Sequence, residues 1–130
     1  MAPEAMSRDL NALGLPGVHF RPVLFEPTFH KHAKIACAGC QIHVTSRTEF
    51  RAVETGISVI DAFQAAGSPP FAWRDPPYEY EADKMPIDIL YGSAALRERD
   101  PASVSARELA RSWESHVATF KKLRLRFLRY

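Results

Sequence analysis

Residues 41–48 read QIHVTSRT, with Ile42 and Val44 on one parity and Gln41, His43 and Thr45 on the other. Side chains of an extended chain point to alternate faces, so this stretch predicts a strand with one buried face and with Gln41 and His43 together on the opposite one. Upstream, residues 18–25 (VHFRPVLF) set Val18, Phe20, Pro22 and Leu24 against His19, Arg21 and Val23. They predict a second extended segment, confined to an edge or irregular position because Pro22 cannot donate to a ladder. Downstream, residues 51–66 place Val53, Ile57, Ile60 and Phe63 at spacings of four, three and three. That is an amphipathic helix, ended by Gly67 and expected to pack over the preceding strand. The combination predicts an α+β domain: a small mixed or antiparallel sheet packed on one side by helices near 51–66 and 105–122.

Further out, residues 4–13 predict a short helix with apolar positions Met6, Leu10 and Leu13, closed at Gly14. Residues 68–80 carry Phe71, Trp73, Tyr78 and Tyr80 among four prolines, the composition of a long loop packed by its own aromatics. Residues 86–96 suggest short helical turns broken at Gly92. Ser105 and Glu108 make a capping-box pattern at the head of a helix whose stripe is Leu109, Trp113, Val117 and Phe120. No internal repeat or low-complexity tract interrupts this order.

A length of 130 residues, 46% of them hydrophobic and 25% charged, fits one domain with one core. The net charge of +2 is far from the basic excess of a nucleic-acid binder, and no run nears the roughly 20 apolar residues of a membrane span. The expected partners therefore include neither nucleic acid nor membrane. Residues 1–6 show no basic or apolar region of a secretory signal. Five of the seventeen Lys and Arg, and no acid, fall in the last ten residues, KKLRLRFLRY, leaving acids in excess over the rest. A helix face in water, ending in a strand that docks into the core, accounts for that tail more simply than a polyanion site.

The sharpest chemical cluster is His30-Lys31-His32 followed by Cys37, Cys40 and His43, because a CxxC with nearby imidazoles can supply four tetrahedral zinc ligands. No second CxxC accompanies it, and buried thiols beside a tight turn at Gly39 are the preferred explanation. A redox CxxC would stand after a strand and before a helix, whereas here a strand follows. The carboxylates Glu26, Glu49, Glu54, Asp61, Asp75, Asp83 and Asp88 form no catalytic motif and read as surface charges or caps. Asp88, between Ile87 and Ile89, needs a cap or a cation partner, and a cap is the simpler of the two. Neither a GxSxG elbow nor a glycine-rich phosphate loop occurs. No cofactor, metal or catalytic residue is assigned.

The run LPGVHFRPVLFEPTFHKHAKIACAGCQIHVTSRTEFRAVETGISVIDAF, residues 15–63, strongly resembles the C-terminal region of the bacterial exo-β-N-acetylmuramidase (NamZ) family. Phe71-Ala72-Trp73, PIDILYGS at 86–93, and a closing Phe120, Arg124 and Phe127 to Tyr130 follow in the same order. The resemblance implies the second part of a two-part enzyme. In it an N-terminal Rossmann-like domain carries the catalytic glutamate and the C-terminal ancillary domain helps wall the cleft. The activity it implies is release of terminal N-acetylmuramic acid from peptidoglycan fragments, in cell-wall turnover that is secreted, periplasmic or cytoplasmic. Where the family reads VTDR, this chain has Val44-Thr45-Ser46-Arg47, which removes an aspartate suited to capping the turn or orienting Arg47.

The resemblance and the residues meet on one set of polar groups: His30, Lys31, Gln41, His43, Thr45 and Arg47, around a strand and its entry loop. Lys31 or Arg47 would answer the lactyl carboxylate of muramic acid, and Gln41 and His43 its hydroxyls or acetamide. Taken singly, each of these groups is somewhat better explained as bonding backbone carbonyls of the proline-rich loop and holding the strand in register. The expected partners are the N-terminal catalytic domain and a muramic acid glycan. A non-catalytic glycan-binding or purely structural module is the alternative, with a small Cys/His metal site behind it. A face left by a missing domain would be apolar, and Leu10, Leu13, Phe71 and Trp73 are its candidates.

Overall fold

The structure is a computed structural model that describes residues 2–67 and 70–129. Ser68 and Pro69 at the head of the aromatic loop, and Tyr130 of the basic tail, lie outside the described residues. The chain forms two compact units, divided after Pro70. Among the described residues no helix is long and apolar enough to cross a membrane.

The first unit begins with α1 (Pro3–Ala12), whose proline stands in the first turn, where a missing N–H costs nothing. Met6, Ser7 and Leu10 face inward, while Leu13 caps the helix and is 49% exposed rather than buried. Strand β1 (Val18–Phe25) pairs antiparallel with β2 (Cys37–Val44) in a two-stranded sheet. The register sets Val18 opposite Val44, Phe20 opposite Ile42 and Pro22 opposite Cys40. Beyond the strand ends, the Thr45 N–H donates to the Gly17 carbonyl at 2.9 Å. That bond sets the phase of the ladder, so odd-numbered residues of β1 turn their backbone groups toward β2 and even-numbered ones turn theirs away. Pro22 is even-numbered, so its missing N–H removes no ladder bond. Strand β2 thus runs four residues earlier than alternation alone predicts. Gly39 is no turn but a strand residue paired with Val23.

Phe20, 1% exposed, is the centre of the core with Met6, Leu10 and Leu15, and Val18, Cys40, Val59 and Ala62 pack around it. Helix α1 covers the sheet, and Asn11 ties the two together. Its Nδ2 donates to the Phe20 carbonyl at 2.8 Å and its Oδ1 accepts from the Phe20 N–H at 2.9 Å. Because α1 covers mainly β1, Ile42 and Val44 stay about half exposed, against the expectation of a fully buried parity.

Helix α2 (Ala52–Ala66) ends at Gly67 in the left-handed conformation. It packs on α1 rather than over β2. Its buried residues are Glu54, Thr55, Ile57 and Ser58, while Val53 and Phe63 are exposed. The helix is therefore rotated away from the face that its apolar stripe predicts. The buried Ser7, Thr55 and Ser58 are small side chains that suit a close helix pair, and Ser58 Oγ satisfies itself on the Glu54 carbonyl at 2.9 Å.

The second unit holds α3 (Pro86–Tyr91), α4 (Ala95–Glu98), α5 (Ala106–Ser112) and α6 (Glu114–Arg124). The helix expected over 105–122 is thus two, broken at Trp113 (φ −101°, ψ 0°). Its start is as predicted, for Ser105 and Glu108 form a complete capping box. Leu96, Ala106, Leu109 and Ala110 are buried, and Tyr91 meets Trp113 edge-on at 5.9 Å. The aromatic loop packs Phe71 against Trp73, T-shaped at 4.9 Å. Asp88 has the cation partner rather than the cap, with Arg97 Nη2 at 2.7 Å and Nε at 3.0 Å. The basic tail continues α6 as turns through Leu128 instead of a docking strand, and α6 buries no residue.

Candidate functional site

The side of the β1–β2 ribbon away from α1 is polar because of its register. Phe20 and Cys40 pack into the core, so the opposite parity carries His19, Arg21 and Val23 on β1 and Cys37, Gln41 and His43 on β2. His19 stands directly across from His43, and Arg21 from Gln41. Arg21 Nη2 donates to Gln41 Oε1, which fixes the guanidinium over the ladder. Among the described residues no carboxylate pairs with Arg21, and no acidic residue stands in either strand. Glu26 and Glu49 lie beyond the strand ends. The face therefore carries cationic and hydrogen-bonding groups without a carboxylate.

The six residues expected to line a cleft fall into three groups along this ribbon. Gln41 and His43 share one face of β2, as their parity predicts, with His43 next to the strand's last residue. Thr45 and Arg47 follow β2 at the base, where the chain folds back on Gly17. There the Ser46 N–H donates to the Gly17 carbonyl at 3.3 Å, and the Ser46 and Thr48 hydroxyls lie 3.2 Å apart. Ser46 so holds this turn. His30 and Lys31 occupy the connection at the far end, beyond roughly 24 Å of ladder at about 3.4 Å per residue. All six are exposed. The connection is held by the Lys34 N–H on the Pro27 carbonyl at 2.8 Å, and it sets His30, His32 and Lys34 at positive φ.

The ribbon also separates the Cys/His cluster. Cys37 and Cys40 are three residues apart on one strand and so lie on opposite faces. Cys40 enters the core margin, where burial pushes its thiol up. A raised thiol is a poor nucleophile and a poor metal ligand at neutral pH. Cys37 Sγ instead donates to the Ile35 carbonyl at 3.4 Å, and both cysteines are free. No three of the described His, Cys, Asp and Glu side chains come together to hold a metal ion. The zinc and CxxC redox readings therefore have no geometry here.

Two features escaped the sequence. Arg21 and His19 join the site only through register, which a single strand's pattern does not reveal. Glu54, read as a surface or capping carboxylate, is 3% exposed, with Arg51 Nη1 at 3.8 Å. Of the residues expected on an apolar docking face, Leu13 and Phe71 are exposed and Leu10 is not. Leu10 is 1% exposed, whereas Leu24 and Phe29 at the hairpin end are 73% and 79% exposed, beside Phe25 and Ile35.

Known proteins match this architecture over its whole length. A family model described as exo-beta-N-acetylmuramidase NamZ, C-terminal, matches residues 1–130. The peptidoglycan beta-N-acetylmuramidase NamZ of Bacillus subtilis (strain 168) is 34% identical over 125 residues, which is 96% of this chain and 28% of that protein. A crystal structure of a DUF1343 family protein from Bacteroides fragilis superposes with a TM-score of 0.76 at 24% identity, over 100% of this chain and 33% of the other. The chain thus spans about a third or less of the relatives it matches, and the structural likeness speaks for the fold. With a family match over every residue, a curated relative at 34% identity and the α+β fold in common, this chain belongs to the NamZ C-terminal domain family.

Proposed function

We propose that this chain is the C-terminal ancillary part of a glycoside hydrolase that releases terminal N-acetylmuramic acid from peptidoglycan fragments, and that the ribbon's polar side walls the substrate cleft. The observation that carries this reading is the family match across residues 1–130. Glycoside hydrolysis calls for carboxylates flanking the scissile bond, and the ribbon offers none. Its contribution is therefore binding, with proton transfer left to an N-terminal catalytic domain. His30, Lys31, Gln41, His43, Thr45 and Arg47 are the residues assigned to substrate contact. An extended glycan bridges their three groups more readily than a single sugar does. The exposed apolar hairpin end around Leu24 and Phe29 supports docking against that catalytic domain.

Release of N-acetylmuramic acid from a chromogenic muramic acid glycoside tests this reading, using this chain alone and mixed with the separately expressed N-terminal domain of a relative. The chain alone is expected to be inactive and the mixture active. In the active mixture, Lys31→Ala or Gln41→Ala should lower kcat/KM about tenfold, the scale of one hydrogen bond to a charged group. Activity from the chain alone, or silence in the mixture, removes the proposal. Unchanged kcat/KM in both variants removes the residue assignment.

A further inference from the structure

We infer that Arg21, braced by Gln41 and flanked by the His19–His43 pair, forms an anion site on the ribbon that selects a carboxylate-bearing saccharide over its neutral counterpart. This rests on the cleft-wall reading and goes beyond it, because Arg21 and His19 are not among the residues assigned above.

Three observations carry it. First, the register stacks two cross-strand pairs on one side: His19 with His43, and next to it Arg21 with Gln41. Four donor-bearing side chains therefore stand within two successive steps of the ladder. Second, the Gln41 carboxamide accepts from only one guanidinium nitrogen, Nη2. This orients the planar fork without neutralising it, and leaves its other N–H groups for a second acceptor. A carboxylate matches that fork in two parallel bonds, which a hydroxyl or an acetamide does not. Third, no acidic residue stands in β1 or β2, and no carboxylate among the described residues pairs with Arg21. Elsewhere in the chain, Arg97 has its carboxylate in Asp88 at 2.7 Å. The ribbon's cation has none, and charge complementarity calls for an anion.

The geometry also ranks the cations. Lys31 and Arg47 lie outside the ladder, whereas Arg21 stands within it and faces Gln41 across the strands. An acid-bearing sugar seated on Gln41 has Arg21 directly beside it. Val23 and Gly39, the next pair along, add an uncharged platform for the apolar face of a sugar ring.

Titration of the isotope-labelled 130-residue chain with N-acetylmuramic acid, and in parallel with N-acetylglucosamine, tests this by amide chemical shifts. The expected result is saturable shifts at residues 19, 21, 41 and 43 with N-acetylmuramic acid, and at least tenfold weaker binding of N-acetylglucosamine. Arg21→Gln, with its spectrum otherwise retained, should erase that preference, while Arg21→Lys should keep part of it. Equal binding of the two sugars overturns the inference, as do shifts confined to other residues, no shifts at 50 mM ligand, or an unaltered preference in Arg21→Gln. If the reconstituted enzyme turns over and this titration fails, the anion site falls and the cleft-wall reading stands. If the titration succeeds and reconstitution fails, the site stands without the hydrolase.

Discussion

Gly17 is the residue on which the first unit closes. It adopts φ of 67°, and a Cβ built there would meet the Ser46 carbonyl at 2.5 Å and the Phe50 N–H nitrogen at 2.8 Å. Both neighbours are backbone and cannot swing aside. Gly17→Ala should therefore cost roughly 2–4 kcal/mol, from left-handed strain together with overpacking. The midpoint of urea denaturation measures it, and a change under 0.5 kcal/mol contradicts the account. At this scale the candidate site was half legible. Gln41 and His43 share a face because they share a parity, which any reader of the chain can see. Arg21 and His19 join them only when two strands are set in register. That register depends on the path of an eleven-residue connection, 26–36, whose positive-φ residues His30, His32 and Lys34 carry no glycine signal. The cysteines misled for the opposite reason: closeness in sequence suggested a shared ligand, and a strand sends residues three apart to opposite faces.

Among the elements, α5 shows a local signal that survives into the structure. Ser105 Oγ accepts from the Glu108 N–H at 3.2 Å, and Glu108 Oε2 accepts from the Ser105 hydroxyl at 2.7 Å and its N–H at 2.8 Å. The hydroxyl and then the backbone bond hold the Glu108 carboxyl below its usual 4.5. A depressed folded value means the cap contributes its stability above pH 4.5 and loses it as the pH falls through the lowered value. The amides at the head of α5 should therefore lose exchange protection on acidification below 4.5, and Glu108→Gln should flatten that dependence. An identical profile in the variant would show that another group is titrating. Capping is local and so was readable. The face α2 buries was not, because Val53 and Phe63 belong to the apolar stripe, while the buried residues include the small polar Thr55 and Ser58. Small side chains let two helices approach closely, and that term is absent from periodicity. The break at Trp113 likewise left the stripe Leu109, Trp113, Val117 and Phe120 intact as a pattern while dividing it in space.

For the whole molecule, α+β content and element order followed from sequence, while the division into two units after Pro70 did not. A proline-rich aromatic stretch reads equally as a packed loop or as a connection. The exposed hairpin end is where the proposed docking of a catalytic domain can be tested. Substituting Phe29 and Ile35, which are 79% and 57% exposed, by serine should leave the stability of this chain within about 0.5 kcal/mol. The same double variant should fail to co-elute with the N-terminal domain of a relative during size-exclusion chromatography. Undiminished co-elution would place the contact elsewhere.

Asn11 has a consequence that reaches past this fold. Residues 18, 20, 22 and 24 turn their backbone groups to the outer edge of β1. Both groups of Phe20 are occupied by the Asn11 carboxamide, and Pro22 has no N–H to offer. A foreign strand arriving there would find its hydrogen-bonding template interrupted at the two central positions. One side-chain amide and one imino acid thus keep β1 from seeding edge-to-edge polymerisation, a protection most needed while the polar side of the ribbon must stay open to solvent.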